Sequence, residues 1–326
     1  MKIANAMDNQ DKLLRAIRHR LDGTTSIIDA VATVLSISYD AAHRRVSQKS
    51  KFSIEEAITL CRHYGLSMDG LFAGSKKVIV EKTAEIRTMA DMAGYFKHSA
   101  ENISSFLQYP EAKMYYSAKD IPLFYTIGGT LLSKFKLYVW LNLLAGTQNQ
   151  DAFEQFTVDA SLLQYSAQLK AVYDNVEVHE IWNDTTINST LQQVYYFFQS
   201  GLLGLANALL LCADLKVILQ NAEDRCCNGQ GNFNLYYNEL LILNNNVLLS
   251  APQKQSLFVP YTMLGYFITD DLDTCTNAQS FFKQQLKNSK SLNLSGTRDR
   301  KVFFNRAHQK TDLYMQRMQA EADPAF

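Results

Sequence analysis

Apolar residues recur along most of this chain at steps of three and four, the period of an amphipathic helix, and give way to strand-like runs only in a late stretch. In the first 77 residues the pattern predicts five short helices, at about 9–20, 26–35, 39–47, 54–64 and 68–72. Each start carries a capping residue. Ser38 precedes the third helix, Ser53 the fourth with Glu56 three positions on as a capping box, and Ser67 the fifth; Gly65 after Tyr64 supplies a left-handed stop.

Beyond residue 78 the same period continues. Ile86, Met89, Ala93, Phe96, Ala100, Ile103 and Leu107 form a stripe over three heptads, a coiled-coil seam on paper. Ala90, Met92 and Phe106 widen that stripe, and paired Glu and Lys are missing beside it, so packing against the chain's own body is the better reading, with dimerisation through this helix left open. An aromatic extended piece broken by Pro122 follows, then helices at about 130–144, 153–173, 187–200 and 202–224. Gly128 and Gly129 read as a turn, because no GxGxxG or GKS/T pattern accompanies them. At 233–243, 247–249 and 257–262 the runs turn strand-like, with Asn244, Asn245 and Asn246 as turn residues, which predicts a small antiparallel sheet with a β-hairpin region at about 232–262. Two closing helices are expected at about 277–290 and 298–318. The fold class expected is mainly α: a five-helix head over 1–77, and a large helical body over 78–326 carrying that small sheet.

Charge sharpens the division. The 326 residues are neutral overall, yet the first 77 hold 12 Lys and Arg against 8 Asp and Glu, so the head is basic and the body acidic. Of the 37 aromatic residues only Tyr39, Phe52, Tyr64 and Phe72 lie in the head, which leaves the body material for a bulky core or an aromatic-lined pocket. Five cysteines without CxxC spacing suggest neither a disulfide framework nor a cysteine zinc site and fit a reducing cytosol. The opening MKIANAMDNQDKLL has no apolar run for a signal peptide, and the greasiest stretch, 201–213, contains Asn207 and falls short of a bilayer span, so it reads as a buried helix. A cytoplasmic protein with no membrane partner is expected.

The segment from Ala32 to Val46 carries the functional argument. Ala32, Leu35, Ile37, Ala42 and Val46 are small or apolar where two helices meeting across a tight turn need inward residues, which is the helix-turn-helix pattern. Ser36 stands in the turn where Gly is usual, at a cost of about 1 kcal/mol if left-handed. If the pattern holds, the helix at 39–47 enters the major groove. Tyr39, Asp40, His43 and Arg44 then face base edges, Arg44 able to donate twice to guanine and Asp40 to accept from cytosine or to orient Arg44. Thr25, Ser26, Lys49 and Lys51 suit phosphate contacts, and Ser38 at the helix start completes the candidate DNA-binding set.

The layout resembles a group of bacterial helix-turn-helix regulators in which a repressor-like head precedes a long, mostly helical body. The likeness lies in the head, in AKDIPLFY at 118–125, in the expected hairpin around the Asn run and in FFNR at 303–306. It implies transcription control through double-stranded DNA and names no effector. Size and aromatic content make the body a module that senses a small molecule, a peptide or another protein, or drives assembly; two heads reading half-sites a helical turn apart imply a homodimer. The alternative is an interaction scaffold whose head binds protein rather than DNA.

No catalytic constellation accompanies these features. His179 and Glu180 in HEIWND lack the second His of HExxH, since Asn183 stands at that spacing, and read as a solvated turn. Cys226 and Cys227 read as a buried helix end, and Lys119 and Asp120 as either a pocket lining or a structural pair. Neither an enzyme activity, a metal nor a cofactor is expected.

Overall fold

The computed structural model describes residues 9–21, 25–72, 78–144, 151–228, 231–294 and 297–323. The chain divides between Ile79 and Val80 into two compact units.

The first unit consists of α1 (Asn9–Arg20), α2 (Ile27–Leu35), α3 (Tyr39–Val46), α4 (Ile54–Tyr64) and α5 (Met68–Phe72). Their short lengths make capping decisive, since few turns leave most backbone groups without helical partners. Ser26 and Ser38 accept from the Ile28 and Ala41 amides, and Ser53 and Glu56 form a full capping box at the start of α4. Gly65 ends α4 at φ 61°. Leu13, Ile17, Val31, Ala42, Leu60 and Cys61 form the core beneath them, with Ala32, Leu35, Ile37 and Val46 packed against it. Ser36, between α2 and α3, is left-handed at φ 53° and ψ 43°, and its amide donates back to Ala32 and Thr33. The turn therefore keeps its tight geometry with a serine in it.

The second unit is built on one sheet. Its strands are β1 (Glu81–Lys82), β2 (Lys113–Ser117), β3 (Glu177–Trp182), β4 (Phe233–Tyr237), β5 (Val247–Ser250), β6 (Gln255–Pro260), β7 (Tyr266–Thr269) and β8 (Lys290–Ser291), in the order β1-β7-β6-β5-β2-β3-β4-β8. β2, β3 and β4 run parallel, and every other pairing is antiparallel. Parallel neighbours need long crossovers. Here α7 (Leu131–Leu144) and α8 (Ala160–Asp174) connect β2 to β3, and α9 (Asn188–Gln199) and α10 (Leu205–Cys227) connect β3 to β4. One face of the sheet packs on these helices, on α6 (Met89–Leu107) and on α12 (Thr297–Ala322) in the main core. The other carries Tyr115, Leu248 and Leu257 against Cys275 and Phe282 of α11 (Leu272–Lys287). The loop from β6 to β7 closes so tightly at Gly265 that a Cβ there would lie 2.2 Å from the Thr262 hydroxyl.

Several expectations from the sequence are corrected. The sheet, of eight strands in a mainly helical chain, is mixed rather than antiparallel. The Asn run is not a hairpin turn, because β4 and β5 are not neighbours; instead Asn245, at φ 61°, accepts from the Lys119 and Asp120 amides at 2.8 and 3.2 Å and anchors the end of β2. HEIWND is no solvated turn, since its first four residues end the central strand β3. The helix expected at 153–173 begins only at Ala160, after a short 3-10 turn at Phe153–Gln155.

Stripe residues Ala93, Phe96, Ala100 and Ile103 of α6 are buried in the unit's own core. Among the described residues one helix, α10, is long and apolar enough to cross a bilayer. Within it, Asp214 accepts from the Leu132 amide at 3.0 Å, and Lys216 pairs with Asp312 at 2.7 Å.

Candidate nucleic-acid interface

Helix α3 presents Tyr39, Asp40, His43 and Arg44 to solvent together with its C-cap Ser47, positions i, i+1, i+4, i+5 and i+8, which share one face. Ala42 turns inward and is fully buried, anchoring the opposite face. Tyr39 is 53% exposed, a large ring kept in water with no core role. Thr25 and Ser26 are exposed just before and at the cap of α2, Ser38 caps α3, and Lys49 and Lys51 are exposed in the connection to α4. The capping bonds of Ser26 and Ser38, each 3.3 Å, use a hydroxyl oxygen as acceptor.

Two adjacent arginines divide their roles. Arg45 Nε and Nη2 reach the two carboxylate oxygens of Glu56 at 2.9 and 2.6 Å, and Nη1 donates to the Ala41 carbonyl at 3.1 Å. This fork ties α3 to the capping box of α4. The bond from Arg45 holds the Glu56 carboxyl below its ordinary pKa despite partial burial. Arg44, one residue earlier, is exposed and joins no ion pair among the described residues, Asp40 included.

A residue the sequence reading missed completes the scaffold. Gln10 of α1 is 7% exposed; its side-chain amide donates to the Arg45 and Ser50 carbonyls at 2.7 and 2.9 Å and accepts from the Phe52 amide at 3.1 Å. It fixes the end of α3 and the segment bearing Lys49 and Lys51. A polar residue at the head of the apolar series Gln10, Leu13, Leu14, Ile17 was its signal. Gln48, left-handed at φ 62°, gave none.

The second unit holds buried charge of another kind. Glu180, fully buried in β3, accepts from Tyr173 (2.5 Å), Trp182 Nε1 (2.8 Å) and Tyr125 (3.1 Å). Burial pushes its pKa up despite these donors. His179 lies against Tyr115 and Tyr236 and bonds to Glu177 at 2.9 Å, on the opposite face of the strand from Glu180. The two do not act together. Asp120 pairs with Lys136, itself 1% exposed, at 3.2 Å, so this part of AKDIPLFY is a structural pair. Cys226 is buried, as the helix-end reading has it, whereas Cys227 is exposed. No cluster of three or more His, Cys, Asp or Glu side chains among the described residues could hold a metal ion.

Comparison with protein-family profiles, curated proteins and solved structures finds no match to this chain.

Proposed function

We propose that the protein is a sequence-specific, DNA-binding transcriptional regulator, with residues 1–79 as a helix-turn-helix head and the remaining unit sensing an effector or driving assembly. The observation that carries this reading is the exposed face of α3, raised on a left-handed turn at Ser36 and on the Ala42 contact, within a segment of basic excess. Arg44 reads a guanine edge; Tyr39, Asp40 and His43 flank it; Thr25, Ser26, Ser38, Lys49 and Lys51 hold phosphates. The protein works in the cytoplasm as a homodimer, since one head this small covers too little DNA for a selective site. The α6 stripe is already occupied by the unit's own core, so another surface joins the two copies.

The test is fluorescence anisotropy with duplexes from the upstream region of the gene and with random duplexes. Several phosphate contacts release counterions, so affinity falls steeply as salt rises, and a flat response defeats the reading. Arg44→Ala costs about 1–3 kcal/mol on the specific duplex and relaxes base preference, whereas Lys49→Ala weakens every duplex alike. Light scattering that returned only a 37.0 kDa monomer, free and DNA-bound, would remove the dimer. If no duplex binds, the scaffold reading replaces this one.

A further inference from the structure

Between α6 and the face of the sheet formed by β2, β5, β6 and β7 lies a cavity of about 530 Å³. Its size is that of a small-molecule site. Ile103, Met114, Phe124, Leu249 and Phe258 supply apolar walls. Three tyrosines from three elements also line it: Tyr95 of α6, Tyr116 of β2 and Tyr266 of β7.

These tyrosines differ from four others in the interior. Tyr125 and Tyr173 donate to Glu180, Tyr138 to the Asp151 carbonyl and Tyr237 to Asp184. A tyrosine hydroxyl removed from bulk water ordinarily finds such an acceptor. Among the described residues none of the three cavity hydroxyls donates to a carboxylate or a backbone carbonyl; Tyr116 and Tyr266 interact with each other, and Tyr95 with Ser99. Partnered only by other hydroxyls, all three side chains line the cavity. At its rim Lys82 reaches Glu85 at 3.5 Å, Asp91 accepts from the Thr88 and Arg87 amides at 2.9 and 3.1 Å, His98 Nδ1 meets the Gly94 carbonyl at 2.8 Å, and the Glu81 side chain is exposed.

We infer that this cavity is a binding site for a neutral, mostly apolar small molecule carrying a hydroxyl or carbonyl group, which the phenols of Tyr95, Tyr116 and Tyr266 recognise. An anionic ligand would lose its hydration among these walls, where the cation at the rim, Lys82, is already paired with Glu85. The inference rests on the regulator reading for what binding does, because an occupied cavity ties α6 to the sheet and so offers the effector input of that reading.

The experiment uses the full chain without DNA. N-phenylnaphthylamine, a neutral apolar fluorophore, is titrated in, then displaced by decanol or by decanoate. The expected result is saturable enhancement at one site per chain, with decanol displacing at least about tenfold better than decanoate. Gly94 lines the cavity in mid-helix, and a Cβ there meets nothing within 4 Å. Gly94→Leu therefore fills the space, abolishes the saturable signal and leaves the melting temperature equal or higher, leucine being the better helix former. Tyr116→Phe, a milder change, weakens decanol displacement about three- to tenfold. Absence of saturable binding, a Gly94→Leu chain that binds as the parent does, or decanoate displacing as well as decanol overturns the inference. Since no DNA is present, such a failure leaves the Arg44 result standing, and a failure of DNA binding leaves the cavity result standing.

Discussion

Arg44 and Arg45 are identical residues side by side in contrasting surroundings, Arg45 paired with Glu56 and Arg44 exposed, so exchanging each for alanine separates stability from the recognition role proposed for Arg44. Arg45 makes two charge-assisted bonds to Glu56 and one to the Ala41 carbonyl, with the paired side chains only 22% and 19% exposed. A hydrogen bond to a charged group contributes about 1.5–3 kcal/mol when sheltered, and a solvated ion pair about 0–1 kcal/mol. Between these limits Arg45→Ala should cost about 1–2 kcal/mol. Glu56→Ala also removes the return bond of the capping box to the Ser53 amide, 2.9 Å, and should cost about 2–3 kcal/mol. Both tryptophans, Trp140 and Trp182, lie in the second unit, so tryptophan fluorescence cannot report on the first. Hydrogen exchange of the α2–α4 peptides in the full chain can, and 1–2 kcal/mol appears there as about five- to thirtyfold faster exchange. The folded Glu56 carboxyl lies below its ordinary value of 4.5, so the pair stabilises above that pH and its contribution is lost as pH falls through the lower folded value. The penalty of Arg45→Ala should fade with it. Arg44→Ala should leave exchange unchanged and weaken DNA binding, while Arg45→Ala should keep its DNA affinity where it remains folded. Unchanged exchange in Arg45→Ala, or faster exchange in Arg44→Ala, would refute the division.

Three more outcomes are expected. Ser36→Gly relieves a left-handed serine and should stabilise the first unit by roughly 0.5 kcal/mol net of the extra unfolded-chain entropy, whereas Ser36→Val should cost about 1–2 kcal/mol; equal exchange rates in the two variants would contradict this. Burial raises the folded pKa of Glu180, so its favourable contribution is complete below the ordinary carboxylate value and is lost as pH rises through the raised one. Glu180→Gln should flatten that decline in the second unit, read from urea unfolding followed by the fluorescence of the neighbouring Trp182, and matching pH profiles in parent and variant would argue otherwise. A thiol reagent should label Cys227 first, because Cys61, Cys212, Cys226 and Cys275 are buried, with Cys212 and Cys226 pushed up to about 12; mass spectrometry showing early modification at any buried position would count against the packing described.

Helix ends and inward-facing stripes were legible from the residues alone, because local chemistry controls them. Ser38, Ser53, Glu56 and Gly65 mark helix ends because each bonds within a few residues of its own position, and the apolar steps within α6 or α10 state which face turns inward whatever lies opposite. The exposed face of α3 was legible for the same reason, from its period and from the buried Ala42. What the sequence left open is whatever depends on partners far along the chain. The run HEIWND looks polar enough for a turn, yet Glu180 is held in a central strand by Tyr125 and Tyr173, donors from other elements. The Asn run has the composition of a hairpin turn, and only the position of β5 beside β2 decides that it binds residues 119 and 120 instead. Arg44 and Arg45 cannot be told apart until α4 brings up Glu56, nor can Gln10 be seen as a clamp until α1 packs against residues 45–52. Tyr95, Tyr116 and Tyr266 meet around one cavity because β7 pairs into a sheet whose order departs from the chain order. Strand pairing depends on which edges find complementary partners once the helices have covered the faces, and that is a property of the assembled unit rather than of any window of sequence.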